Sequence, residues 1–225
     1  MKLGIISVVT TDDEERLYSH RRHIEAHYPE WNVVSRCIPD QPRGVHDEQT
    51  HRAAEPKVVA LAQAYAREGV DAIYVSCAAD PGVELARPRL NGTPILGAGR
   101  AGALVALSYG MPVGVLGITD TGPKVVVETL GDTLVAVERP RGVTTALDLG
   151  SPAGKSETVA AAGRLVTAGA RVILYACTGM STLGVTPLIW EKYRVPVVDP
   201  DLAAAGLLLT LVRHRPRTQG AAAAV

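Results

Sequence analysis

The chain has 225 residues, and its 23 Lys and Arg balance its 23 Asp and Glu, leaving no basic block that could serve as an electrostatic footprint for nucleic acid. That length holds one large domain or two lobes of about 100 residues each, and either would bury a real core. Three cysteines, Cys37, Cys77 and Cys177, are too few and too spread for a disulfide framework, and no CxxC or Cys/His cluster points to structural zinc.

The apolar run Met1 to Ser7 is too short for a signal-peptide core, and no later stretch approaches the roughly 20 apolar residues of a membrane span. A soluble, cytoplasmic protein with free thiols and no membrane partner is expected. From this first run onward, short β-rich segments alternate with longer helical patterns, the signature of parallel βαβ units. The strands are read at Leu3 to Val9, Asn32 to Ile38, Ala72 to Cys77, Thr93 to Leu96, Val113 to Ile118, Thr133 to Val137, Val172 to Cys177 and Val195 to Val198. The helices are read at 13–28, 52–68, 81–90, 100–109, 122–130, 152–168, 187–193 and 200–213, and the tail from Arg215 to Val225 is expected to fray.

Three strand segments recur in the same order. Leu3 to Val8 resembles Val113 to Ile118, Ala72 to Cys77 resembles Val172 to Cys177, and Thr93 to Leu96 resembles Val195 to Val198, at offsets of 110, 100 and 102 residues. Nearly constant offsets argue for a duplicated unit. The expected fold is therefore α/β, with two pseudo-symmetric Rossmann-like lobes, each built on a four-stranded parallel sheet, and a site in the cleft between them. The first lobe takes residues 1–98 plus 200–225, and the second 99–199. A similarity between Glu55 to Val59 and Gly122 to Val126 falls out of this register, and Pro56 and Pro123 at helix position N1 would explain it.

Open α/β sheets bind ligands beyond the carboxyl ends of their strands, and Cys77 and Cys177 both sit there. Two thiols brought face to face suit the removal of a proton from one side of a flat carbanion-like centre and its replacement on the other. A cysteine needs only a modest pKa change to serve as thiolate or thiol. The small residues that follow, Ala78-Ala79-Asp80 and Thr178-Gly179, offer backbone N–H groups to a thiolate or a developing enolate. Thr10, Thr11, Thr119 and Thr178 follow strands at the expected cleft rim and are read as hydrogen-bonding residues for a small-molecule substrate. Asp80 is read as the N-cap before Pro81 or as an acceptor for a substrate N–H. Cys37 has no repeat partner and reads as structural.

The segments Cys77-Ala78-Ala79-Asp80-Pro81-Gly82, Cys177-Thr178-Gly179-Met180 and Val195-Pro196-Val197-Val198-Asp199-Pro200 resemble the Asp/Glu/hydantoin racemase superfamily, over almost the whole chain. Within it the two cysteine blocks are similar to the hydantoin racemase branch. Aspartate and glutamate racemases usually carry Asn-Thr after the first cysteine and His or Glu two residues after the second, where this chain has Ala78-Ala79 and Gly179. The resemblance implies two Rossmann-like lobes, no pyridoxal phosphate or other cofactor, no metal, and catalytic roles for Cys77 and Cys177. It implies racemisation of a 5-substituted hydantoin or a related amino-acid derivative, with an aspartate- or glutamate-type amino-acid racemase as the alternative. One departure stands out: hydantoin racemases typically have an N-P-N-[ST] loop after strand one, and here Val8-Val9-Thr10-Thr11 takes its place.

Other motifs compete. Gly97-Ala98-Gly99-Arg100-Ala101-Gly102 has the G-x-G-x-x-G spacing of a dinucleotide site, with Asp120 placed for a ribose, which would make the chain an NAD(P)-dependent oxidoreductase. Its strand is short and contains Pro94, which a central strand tolerates poorly; a glycine turn into a tightly packed helix is the simpler reading. Gly150 to Ser156 falls one residue short of a phosphate loop, and Ser151 with Pro152 reads as an N-cap and N1 pair. His20, His23 and His27 share one helical face without an interleaved acid, which favours a solvated or partly packed face over a metal site. A non-catalytic two-lobed binder is the remaining class, and two apolar lobes without net charge suggest a homo-oligomer.

Overall fold

The structure is a computed structural model, and it describes residues 1–215. Beyond Arg215, the tail expected to fray lies outside the described residues. All eight strands form: β1 Lys2–Ser7, β2 Asn32–Cys37, β3 Ala72–Ser76, β4 Ile95–Gly97, β5 Val113–Leu116, β6 Leu134–Glu138, β7 Val172–Tyr175 and β8 Val197–Val198. The helices are α1 Glu14–His27, α2 Glu48–Arg67, α3 Val83–Ala86, α4 Ala98–Leu107, α5 Lys124–Leu130, α6 Pro152–Thr167, α7 Thr186–Tyr193 and α8 Pro200–His214. Short 3₁₀ turns lie at Arg87–Arg89, Gly131–Thr133, Ala146–Gly150 and Thr178–Met180.

The strands make two four-stranded sheets, β2-β1-β3-β4 and β6-β5-β7-β8. Every pairing is parallel. Each sheet therefore reverses its winding between its first and third strands, β1 and β3 in one and β5 and β7 in the other. In doubly wound folds the crevice at such a reversal is where ligands bind, and in both sheets the third strand leads directly to a cysteine.

Alternation of side chains along the strands divides the core. Leu3, Ile5 and Tyr74 of the first sheet share a central cluster with Val113, Val115, Val172 and Leu174 of the second, and the buried alanines of α4 and α8 belong to it. Each sheet packs its opposite face into a cluster of its own, around Ile73, Val75 and Tyr65 in the first and around Leu116, Ile173 and Tyr175 in the second. Small residues on α4 allow close approach: a Cβ on Gly102 would stand 2.7 Å from the Leu174 side chain. α8 packs against α4, α1, β3 and β4.

Caps set the helix ends. Asp47 and Thr50 form a reciprocal capping box at the start of α2. That box begins α2 four residues before the expected start, so Pro56 lies inside the helix and not at its first position. Pro123 is the N-cap of α5. Ser151 caps α6, its Oγ accepting from the Gly154 amide at 3.0 Å, with Pro152 at the first helical position. Strands β3 and β7 stop one and two residues before their cysteines; after β3, Cys77 turns back so that its amide donates to the Val75 carbonyl at 2.8 Å. The cysteines thus belong to the turns.

Candidate active site

A single open cleft of about 1660 Å³ lies at the carboxyl ends of both sheets and is lined by Cys77, Cys177 and the turns that follow them. Both cysteines are 8% exposed. The turns are tied together directly, since the Thr178 hydroxyl donates to the Ser76 carbonyl at 3.3 Å across the junction of the sheets. Burial pushes the Cys77 thiol up to about 12; the amides of Ala79 and Asp80 oppose the rise, while the Asp80 carboxyl and the Cys177 thiol add to it. Burial likewise pushes Cys177 up to about 11, with the Gly179 and Met180 amides pulling down and Asp201 pushing up. Each thiol thus meets the same environment, a desolvated strand end with two amides favouring the thiolate.

Asp80 does not cap the helix that follows it, whose N-cap is Gly82. With φ of 50° it turns its carboxyl toward α4, where Oδ1 and Oδ2 accept from the amides of Gly99 at 2.7 Å and Arg100 at 2.9 Å. A carboxyl at a helix N-terminus satisfies orphan donors and meets the positive end of the helix dipole. Even so, burial pushes Asp80 up to about 7, against the pull of those amides and the Arg100 charge. The glycine motif now has a physical account. A Cβ on Gly97 would fall inside the Asp80 carboxyl, and one on Gly99 inside the Ala78 carbonyl. The amides that would cradle a pyrophosphate already hold Asp80, and Asp120 is paired with Arg139 at 2.6 Å. The glycines pack the turn after Cys77 onto α4.

The other expected contacts divide. Ala78, Ala79, Asp80, Thr119, Thr178 and Gly179 line the cleft together with the cysteines, whereas Thr10 and Thr11 do not. From the loop after β1, the Thr10 hydroxyl is spent on the loop after β2, donating to the Ile38 carbonyl at 2.6 Å and accepting from the Gln41 amide at 2.7 Å. The Thr11 hydroxyl accepts from the Asp13 amide just before α1. Ser7 at the end of β1, with Val8 and Val9 after it, takes the cleft positions instead. Cys37 is half-buried, its thiol against the Thr11 carbonyl at 3.7 Å.

Several cleft residues were not evident from the sequence. Ser76, beside Cys77, buries a hydroxyl that has no partner among the described residues. The His51 ring lies 3.2 Å from the Ala79 carbonyl. His20 and His23 of α1 do have acidic partners: His20 Nδ1 lies 2.6 Å from Asp201 and His23 Nε2 lies 2.8 Å from Asp199, both at the start of α8. His27 instead bonds its own helix, at the His23 carbonyl. The repeat offered one signal for these acids, because Asp199-Pro200-Asp201 leads from β8 into α8 where Gly97-Ala98-Gly99 leads from β4 into α4. Among the described residues no group of three or more His, Cys, Asp or Glu is placed to hold a metal ion. No helix of the described residues is long and apolar enough to cross a membrane.

Comparison with solved structures shows the same fold. Allantoin racemase from Klebsiella pneumoniae superposes with a TM-score of 0.79 at 19% identity, covering 95% of this chain and 88% of that one. The Pseudomonas fluorescens allantoin racemase gives 0.79 at 21%, with 95% and 91% covered. Glutamate racemase from Francisella tularensis gives 0.65 at 11%, with 94% and 81% covered. No curated protein matches the sequence. The Asp/Glu/hydantoin racemase family matches residues 4–208, and the chain accordingly belongs to that family of isomerases.

Proposed function

We propose that the protein is a cofactor-independent racemase in which Cys77 and Cys177 exchange a proton with the stereocentre of a 5-substituted hydantoin or a related ring. The observation that carries this reading is the equivalence of the two thiols, each in the turn that leaves the third strand of its sheet, in one cleft, with two opposing amides. One cysteine, as thiolate, takes the proton from one face of the ring carbon, leaving an enolate. The other, as thiol, gives its proton to the opposite face. Base has become thiol and acid thiolate, so the enzyme is poised for the other enantiomer, and proton exchange with water resets it.

Buried thiols with high pKa values are strong bases once ionised, and they suit a carbon acid activated by a neighbouring ring carbonyl. Of the cationic side chains lining the cleft, Arg22, Arg52 and Lys124 are paired with Glu15, Glu48 and Glu128, and Arg100 lies 3.9 Å from Glu84. Arg16 and Arg43 have no acidic partner among the described residues, so the choice of a ring rests on the thiols and not on the charge of the cleft. The two allantoin racemases act, by their names, on a ring of this kind. The same reading places the enzyme in a reducing cytoplasm, where free thiols persist, and as a homo-oligomer.

The test is solvent deuterium incorporation, with no cofactor added, into single enantiomers of allantoin, 5-benzylhydantoin, aspartate and glutamate. Exchange with loss of optical rotation in the hydantoins is expected. Exchange in the two amino acids alone would move the protein to the amino-acid racemases, and exchange in none would refute the reading.

A further inference from the structure

Behind Cys177 lies a buried polar cluster that the two-thiol chemistry does not use. Asp199 Oδ1 accepts from the Ser181 hydroxyl at 2.9 Å and from the amides of Asp201 and Leu202 at 2.8 and 3.2 Å, while its Oδ2 faces His23 at 2.8 Å. Asp201 is completely buried. It takes His20 Nδ1 on one oxygen and the Tyr74 hydroxyl on the other. Ser181 ends the 3₁₀ turn that opens after Cys177, and Tyr74 lies on β3 three residues before Cys77. One network therefore joins α1, the start of α8, the strand that leads to Cys77 and the turn that carries Cys177.

We propose that the His20–Asp201 and His23–Asp199 pairs form a clamp that fixes the Cys177 turn against β3 and balances the buried negative charge behind the Cys177 thiol, so that these four are positioning residues. Its catalytic consequence rests on the two-thiol reading above; its geometry does not. A cap for α8 alone would need only Asp199, whose side chain already accepts the first amides. Buried ion pairs contribute little net stability compared with apolar packing, so a second, fully buried acid with its own histidine calls for another role. The titratable groups facing the cluster are Tyr74 from β3, Tyr28 after α1, Tyr175 from β7, and Cys177 itself. Asp199 acts on both Tyr28 and Tyr175, and Asp201 on Cys177. Burial opposes the His20 imidazolium, but the charge and hydrogen bond of Asp201, with Asp199 beyond, raise its pKa above the ordinary value. The hydrogen bond to Asp199 raises that of His23. Removing the His20 cation leaves the Asp201 carboxylate uncompensated beside the thiol.

The experiment alkylates the full-length protein with iodoacetamide over a range of pH and follows Cys77 and Cys177 separately by peptide mass mapping, in wild type, His20→Gln, His23→Gln and Ser181→Ala. In His20→Gln, Cys177 should label about threefold more slowly at a given pH below its pKa, the change produced by half a pKa unit, with Cys77 unchanged. Ser181→Ala should lower racemisation kcat at unaltered KM. Labelling of both thiols at wild-type rates in both histidine variants, or an equal change in both thiols, would reduce the cluster to a structural pin and overturn the proposal. If the histidine variants do not fold, the wild-type labelling curve for Cys177 should carry a second inflection where the imidazole resonances titrate, and its absence overturns the proposal. A Cys177-selective effect in a protein that exchanges no substrate deuterium would leave the clamp standing and remove the racemase reading.

Discussion

The Thr178 hydroxyl donates to the carbonyl of Ser76 at 3.3 Å, so the residue after one cleft cysteine is bonded to the residue before the other. Thr178→Val keeps the shape and removes the donor, leaving a buried carbonyl unsatisfied. A loss of about 1–3 kcal/mol in stability is expected, read by denaturant midpoint, with a fall in kcat because the spacing of the two thiols loosens. An unchanged kcat would show that the bond does not set that spacing.

Replacing either cysteine by serine should abolish racemisation while leaving the fold intact, with losses of at least about 10²-fold. The enantiomers of a substrate with one stereocentre are equal in energy, so kcat/KM must fall by the same factor in both directions. Solvent deuterium exchange without inversion can survive from the side of the remaining thiol. Normal racemisation by both variants would exclude the two-thiol mechanism.

With the free thiols at about 12 and about 11, both are protonated at neutral pH, and one must ionise before it can act. The rate constant kcat/KM should therefore rise tenfold per pH unit through the neutral and alkaline range, as the free enzyme's base ionises. A bell centred near neutrality would mean that the resting thiols ionise far more readily than their burial implies.

Gly97→Ala drives a methyl into the Asp80 carboxyl, and Gly99→Ala drives one into the Ala78 carbonyl. Each should cost about 1–3 kcal/mol or more by overpacking and displace the turn that carries the Cys77 amides. Calorimetry and kcat measured together check this. Gly110→Ala, where a new Cβ would meet nothing within 4 Å, controls for crowding, although its φ of 63° adds local backbone strain.

Stability should fall as pH rises across three groups. His20 and His23 bind protons more tightly folded than unfolded, so their contribution is complete below the unfolded value of 6.5 and is lost as pH climbs through their raised folded values. Asp80, raised from 3.8 to about 7, stabilises fully below 3.8 and loses that contribution as pH approaches about 7. Asp199, held below 3.8, acts in the opposite sense and weakens the fold only as pH drops through its folded value. The thermal midpoint should be higher at pH 5.5 than at pH 8, Asp80→Asn flattening the acidic part of the slope and His23→Gln the part above 6.5. A midpoint that climbs from pH 5.5 to 8 would contradict this assignment.

Much of the architecture was legible in the order of residues. Strand patterns at Leu3, Val113, Ala72 and Val172 are local properties of chain composition, and their near-constant offset carried the duplication without reference to any contact. That is why both sheets, their parallel strands and the placement of Cys77 and Cys177 beyond equivalent strands were evident. What the sequence could not reveal depends on partners brought close only by packing. The glycines of the Gly97 turn exist for a carboxyl 19 and 20 residues upstream of the amides it meets. The histidine face of α1 finds its acids 181 and 176 residues away. Thr10 looked free for a substrate, yet its hydroxyl is spent on the loop after β2. Periodicity shows which face of an element is buried; which polar atoms meet there, and with what charge, is decided only when distant segments exclude water from between them.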